Sequence, residues 1–239
     1  IYHIKKEKLF ALKKIQNPDE KSKLFDREYN NYMNVHHPYL LKCFGKYSDG
    51  IFDYLVLEYI NGSSLNILNE KEFTVNEKLK ILFEVLIIIE YLHNNSYIYR
   101  DLKPDNLILD KNGVAILIDL DRMILNSSNF FDNDSTQIFT DFISPEIANN
   151  TFYSFSTDIY SIGKIIQFMF HNEFKFNDEL SFLEMLSNKC TRMEPKERPK
   201  ISELINRFYN NCYIKITNCI SEENSILSQP DIHSKKFYK

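Results

Sequence analysis

Within eight residues, Tyr99-Arg100-Asp101-Leu102-Lys103-Pro104-Asp105-Asn106, the chain gathers two carboxylates, two cations and an amide. Pro104 keeps the stretch from winding into a helix. A long apolar segment, Lys78 to His93, precedes it and two short apolar runs follow. It therefore reads as a loop held between rigid elements, where site residues usually sit. The runs Leu107-Ile108-Leu109 and Val114-Ala115-Ile116-Leu117-Ile118 are joined by Asp110-Lys111-Asn112-Gly113, and Asn-Gly is a hairpin signal. With the turn centred near Asn112, Asn106 and Asp119 both fall at the open end, about 5 Å apart across the ladder. An amide oxygen and a carboxylate there make a hard, all-oxygen site that suits Mg²⁺ rather than zinc. Asp101 is then placed to act as a base beside that metal. The competing reading is a polar loop that caps a hairpin.

Other elements must position this loop. Ile1 to Ile4 and Leu9 to Ile15 read as strands, with Lys5-Lys6-Glu7-Lys8 as a charged turn. Ala11 and Lys13 share a face by the two-residue period. A flat ring can lie over Ala11 while the Lys13 ammonium reaches phosphates beyond it; the plainer alternative is an exposed lysine on a charged strand. From Lys21 to Val35 the periodicity is helical, with Leu24, Glu28, Tyr32 and Val35 on one face. Glu28 is a carboxylate in an apolar stripe, and a buried charge requires a cationic partner. Lys13 is the candidate. His36-His37 reads as packing rather than a metal site, because adjacent side chains point apart.

Phe52 to Ile60 reads as a buried strand, with Asp53 near its start, running into the linker Glu58-Tyr59-Ile60-Asn61-Gly62. Residues 74–93 read as a long helix with Thr74 as its cap and Glu77 completing a capping box. Residues 119–146 are irregular and, in their first half, rich in Asn, Ser and Asp. Ser156-Thr157-Asp158 opens an apolar helix through Phe170, with an acid in its first turn.

Composition narrows the class. The chain has 239 residues, 44% of them apolar and 26% charged, the balance of a soluble globular protein large enough to bury a full core. A net charge of −4 speaks against a nucleic-acid-binding surface and gives no sign of membrane attraction. Cys43, Cys190, Cys212 and Cys219 lack metal or redox spacing, which implies reduced thiols and a cytoplasmic location. The longest apolar run, Ile81 to Leu92, is broken by Glu84 and Glu90, and reads as a buried amphipathic helix rather than a membrane span. No signal peptide is evident. The chain begins on Ile1 inside an expected strand, which reads as a fragment or a sequence missing its start.

The loop Tyr99–Asn106 resembles the catalytic loop of eukaryotic-type protein kinases, and Asp119-Leu120-Asp121 stands where they carry Asp-Phe-Gly. In the family's order and spacing follow the Ala11-x-Lys13 strand, the Glu28 helix, Ser144-Pro145-Glu146 and Asp158-Ile159-Tyr160-Ser161-Ile162-Gly163. The likeness covers residues 1–212. It implies an α+β bilobal fold: a small β-rich N-lobe (1–60, without its glycine-rich loop), a larger mainly helical C-lobe (61–212) and a tail (213–239). It implies phosphoryl transfer from ATP, with Mg²⁺, to a protein hydroxyl, and Lys103 two residues after Asp101 resembles the serine/threonine class. Asp101, Lys103, Lys13 and Glu28 would be catalytic, and Asn106 and Asp119 would hold the metal. Lys13, Ala11, Leu57 as gatekeeper, the backbone of Glu58 and Ile60, Ser64, Ile108 and Asp119 would line the nucleotide site. Asp158 would anchor the loop backbone, and Arg198 would pair with Glu146.

Several residues depart from the pattern. Tyr99 replaces a histidine, Asp121 a glycine, Ser64 a ribose-binding acid, and Phe139 a threonine, with Thr140 beside it. Ser127, Ser128, Ser135, Thr136 and Thr140 are candidate phosphorylation sites, and the stretch between Phe170 and Leu183 is too short for a full substrate-docking helix. The resemblance implies a protein Ser/Thr substrate and ATP as partners, with neither nucleic acid nor membrane. The alternative function is a pseudokinase scaffold, suggested by Asp121 and the absent glycine loop. A small-molecule phosphotransferase would share Asp101, Asn106 and Asp119 but not Ser-Pro-Glu or the Arg198 element.

Overall fold

The computed structural model describes residues 2–3, 8–16, 19–67, 73–126, 140–148, 153–175, 177 and 180–212. A small strand-rich lobe and a larger, mainly helical lobe are built from them. In the small lobe β1 (Tyr2–His3), β2 (Lys8–Gln16), β3 (Cys43–Ser48) and β4 (Phe52–Glu58) form an antiparallel sheet in the order β1-β2-β4-β3. The β2–β4 register sets Ala11 opposite Leu57 and Lys13 opposite Leu55. The pleat puts Ala11 and Lys13 on one face, as the two-residue period requires.

Helix α1 (Asp19–Asn34) lies beside this sheet and buries Phe25, Glu28, Asn31 and Tyr32, with Val35 just beyond its end. Leu24, expected on that face, is exposed at 38%. Phe25 takes its place, because the arc through residues 25, 28, 32 and 35 directs the larger ring at the core. Strand β3 is unheralded in sequence: its outer half is solvated and a bulge between Cys43 and Gly45 breaks its alternation. Strand β4 stops at Glu58, two residues short of the expected Ile60.

The large lobe is organised on two long helices, α2 (Val75–Asn94) and a second further along the chain. Thr74 and Glu77 form the expected capping box at the start of α2. Two charged residues within its apolar run are buried and bonded, not exposed. Lys78 Nζ donates to the Met169 carbonyl at 2.7 Å and to Glu173 at 2.6 Å. Glu84 accepts the Ala115 N–H at 2.8 Å. After β5 (Gly62–Ser64), the hairpin β7 (Leu107–Asp110) and β8 (Ala115–Leu117) gives a three-stranded sheet in the order β5-β7-β8. Gly113 takes a φ of 71° in its turn, as Asn-Gly predicts. Strands β6 (Tyr97–Ile98) and β9 (Ile124–Leu125) pair across the hairpin's base. The small lobe joins it where Leu117 exchanges backbone bonds with Tyr39 and Leu41.

Beyond α3 (Pro145–Ala148), α4 (Phe155–Phe170) starts one residue before the expected Ser156, capped by Ser154. It packs on α5 (Ser181–Cys190), and helix α6 covers residues 201–212. The α4–α5 approach depends on Gly163: a Cβ there would stand 2.7 Å from Cys190 Cβ and 2.8 Å from Thr191 Cγ2. Gly163→Ala is expected to lower the unfolding free energy by about 1–3 kcal/mol through overpacking. Urea titration would show a lower midpoint at unchanged slope. No helix among the described residues is long and apolar enough to cross a membrane.

Candidate active site

Asp158 fixes the entry to the Tyr99–Asn106 loop. Its carboxylate is fully buried in the first turn of α4 and accepts the backbone N–H groups of Tyr99 at 2.9 Å and Arg100 at 2.8 Å. His93 Nε2 lies 2.8 Å from the same carboxylate. Tyr99, the replacement for histidine, is wholly buried, and its hydroxyl donates to the Ile118 carbonyl at 2.5 Å. One side chain thus ties the loop to the strand that delivers Asp119. Arg100 and Asp119 both have left-handed backbones, φ 73° and 60°. Non-glycine residues hold such conformations where their surroundings over-determine them, and these cluster at functional sites.

The loop exit is a single turn over Pro104–Asn106. Ser64 Oγ donates to the Pro104 carbonyl at 3.1 Å, and Asn66 donates to Asp105 at 2.9 Å. Ser64 is therefore engaged in holding the loop. The hairpin register Leu107↔Leu117 continues into a 3.0 Å bond from Ile118 N–H to the Asn106 carbonyl. Asn106 thus faces Ile118, and Asp119 lies one residue further along, a diagonal rather than a direct neighbour.

At the centre Asp101, Lys103 and Asn106 form one bonded group. Lys103 Nζ lies 3.0 and 2.8 Å from the two Asp101 carboxylate oxygens. Asn106 Nδ2 donates to the Asp101 carbonyl at 2.8 Å and to its carboxylate at 2.9 Å. With its nitrogen turned to Asp101, the amide's oxygen is the atom Asn106 could offer a cation.

Lys13 forms the second group. Its Nζ lies 2.9 Å from Glu28 and 2.9 Å from Asp119 Oδ1, so the pair inferred from the buried carboxylate is present and a third member joins it. Burial works against the Lys13 charge, but Asp119 and Glu28 outweigh it and hold the ammonium's pKa above its ordinary value. Burial pushes the Glu28 carboxyl up to about 7, against the opposing pull of Lys13. Between pH 4.5, its ordinary value, and about 7 the folded chain keeps a proton on Glu28 that the unfolded chain has released. That contribution to stability is present at low pH and is lost as pH rises through the folded value. Compared with Glu28→Gln, the wild type is expected to lose stability over this window, as thermal melts at half-unit pH steps would show.

Around these groups Ala11 and Ile108 are half-buried and Leu57 is buried. The Glu58 N–H donates to the Lys42 carbonyl at 2.8 Å, so a flat ligand edge would have to meet the Glu58 carbonyl or the Ile60 backbone instead. Arg198 grips Glu146 through two bonds of 2.6 and 2.8 Å, as expected. Among the described residues Thr140 Oγ1 is buried without a hydrogen-bond partner, and it does not substitute for a threonine bonded to Asp101 or Lys103. Phe139, Ser127, Ser128, Ser135 and Thr136 lie outside the described residues. Asp121 does not have the positive φ for which a glycine would be needed.

Sequence reasoning missed a second set of contacts from α1. Asn31 Nδ2 donates to the carbonyls of Leu120 at 2.7 Å and Met123 at 2.9 Å. Arg27 Nε donates to the Asp121 carbonyl at 2.9 Å, and the Tyr32 hydroxyl accepts the Asp119 N–H at 3.2 Å. The one signal was an amide three residues after Glu28 on its apolar face.

The arrangement suits a hard cation held jointly with a ligand. Among the described residues no cluster of three or more His, Cys, Asp or Glu could hold a metal by itself. A carboxylate plus an amide oxygen, completed by phosphate oxygens, is the ordinary protein share of a Mg²⁺ site.

The site thus consists of two bonded groups, Lys13 with Glu28 and Asp119, and Asp101 with Lys103 and Asn106. The chain belongs to the protein kinase domain family, whose model matches residues 1–218. It is similar to cAMP-dependent protein kinase type 3 of Saccharomyces cerevisiae, 26% identical over 208 residues that cover 85% of this chain and 50% of that protein. It is likewise similar to the human cAMP-dependent protein kinase catalytic subunit PRKX, 30% identical over 69% of this chain and 48% of that one. An Aurora kinase of Yarrowia lipolytica is 32% identical over 59% of this chain and 38% of its own length. The chain spans about half the length of the first two relatives.

Proposed function

We propose that the chain is an active protein serine/threonine kinase domain that transfers the γ-phosphoryl group of ATP to a protein hydroxyl. One observation carries the reading: Lys13 touches both Glu28 and Asp119 at 2.9 Å, while Asp101, Lys103 and Asn106 are bonded to one another. Phosphoryl transfer needs positioning and charge stabilisation more than covalent chemistry, and these are the groups that supply both. Mg²⁺, when bound, neutralises charge on the phosphate oxygens. Asp119 and the Asn106 oxygen would hold it, Lys13 would meet phosphate, and Glu28 keeps Lys13 in place. Asp101 orients the acceptor hydroxyl and takes its proton, and Lys103 faces the transferred group. Ala11 and Ile108 would lie on either side of the adenine with Leu57 as gatekeeper, the backbone of Glu58 and Ile60 would meet its edge, and Ser64 would stand on the ribose side.

The serine/threonine assignment draws on Lys103, two residues after Asp101. Residues 1–212 form the kinase unit and 213–239 a tail, and the protein acts in the cytoplasm. Asp121, the residue that speaks for a scaffold, adopts a backbone that does not call for glycine and leaves Asp119 in place. A ligand at a hundred times its Kd raises stability by about 2.7 kcal/mol. ATP with Mg²⁺ should therefore raise the melting temperature of the wild type, and Asp119→Asn should forfeit the Mg²⁺-dependent part. An unchanged melting temperature in the wild type would contradict the reading.

A further inference from the structure

We propose that Asn31 is a positioning residue for Asp119: a buried amide that fastens the turn after the hairpin to α1. The inference rests on the phosphoryl-transfer reading for its kinetic consequence, but its structural content stands apart from it.

Asp119 has a left-handed backbone, φ 60°, and something must hold it there. The segment that follows is a tight turn, closed by a 3.3 Å bond from the Met123 N–H to the Leu120 carbonyl. Leu120 and Met123 are fully buried, so their carbonyls need protein donors. Asn31, only 7% exposed, supplies two bonds from a single Nδ2, at 2.7 and 2.9 Å. Its neighbours on α1 complete the grip, Tyr32 on the Asp119 N–H and Arg27 on the Asp121 carbonyl. Four consecutive-turn positions, 27, 28, 31 and 32, thus reach Asp119, Leu120, Asp121 and Met123, with Glu28 acting through Lys13. The position that would carry a flexible glycine holds Asp121 instead. The turn is fixed by donors on α1 and has no glycine to let it swing, so displacing α1 and displacing Asp119 are one event.

The test separates the donor from its bulk. Asn31→Asp keeps the shape and deletes the N–H groups; Asn31→Leu keeps the branching with apolar, somewhat bulkier arms; Asn31→Gln keeps the donors. Misplacing a reacting group by about 1 Å can cost about 10²-fold, so the Asp and Leu variants are expected to lose about that much kcat and to need more Mg²⁺ for half-maximal rate. The Gln variant should recover part of both, and KM for the protein acceptor should stay level. Amide hydrogen exchange gives the activity-independent readout: in Asn31→Leu the amides of residues 119–123 should exchange about tenfold faster or more, with α2 and α4 unchanged. Unchanged exchange at 119–123 overturns the proposal, and so does protection lost evenly across α2 and α4. If the wild type transfers no phosphate, the function reading fails while exchange still decides this one. Should Asn31→Leu not fold, Tyr32→Phe removes the oxygen that accepts the Asp119 N–H. Faster exchange at Asp119 would support the latch, and unchanged exchange would overturn it.

Discussion

Asp101→Asn is expected to lower kcat for phosphoryl transfer by about 10²–10⁴-fold, the usual contribution of a positioned general base. The substitution is isosteric and the site around it is already organised. Lys103 donates to both carboxylate oxygens at 3.0 and 2.8 Å, and Asn106 donates to one of them at 2.9 Å. An amide at residue 101 can accept on one arm only, and its NH₂ would face a cation or a donor on the other. The loop backbone stays fixed from outside, through Asp158 on Tyr99 and Arg100. ATP affinity should therefore stay within a few-fold while kcat collapses, a split that steady-state rates and a binding titration would resolve. Equal losses in binding and rate would instead mean that the loop itself had come apart.

Arg198→Ala is expected to be the most damaging single change to stability, at about 3–5 kcal/mol, because it strands a buried charge. The Glu146 side chain is 6% exposed and that of Arg198 is fully buried. Beyond its two bonds to Glu146, the guanidinium donates to the carbonyls of Ser156, Arg192 and Met193. Truncation takes the guanidinium from the three carbonyls and from the buried carboxylate, which keeps the Thr157 hydroxyl at 3.3 Å but no longer has its counter-charge. The double variant Arg198→Met with Glu146→Gln removes the stranded charge and should recover a large part of the loss. Denaturant unfolding of the two singles and the double measures the coupling directly.

What the sequence revealed and what it hid follow from where the determinants lie. The catalytic loop and hairpin were legible because their chemistry is local: Asp101 to Asn106 is one short run, and Asn112-Gly113 dictates its own turn. The Lys13–Glu28 pair was legible at longer range because a carboxylate in an apolar helix face demands a cation. Helical periodicity alone could not decide between the adjacent Leu24 and Phe25, since the sheet against which α1 packs makes that choice. Strand β3 was hidden because its solvated outer half and its bulge erase the alternation that marks a half-buried strand. Asn31 was hidden for another reason. It bonds to backbone carbonyls of Leu120 and Met123, and a carbonyl leaves no mark on residue type. Glu84, read as a break in an apolar run, is likewise satisfied by a partner distant in the chain, the Ala115 N–H, and Lys78 by Met169 and Glu173.

Incorporation of label from γ-labelled ATP with Mg²⁺ into a generic protein substrate reads phosphoryl transfer itself. The wild-type chain should label serine or threonine, and Asp101→Asn and Lys13→Met should each abolish the signal. A wild type that binds Mg·ATP yet labels nothing, or labelling that persists in both variants, would contradict the proposed function.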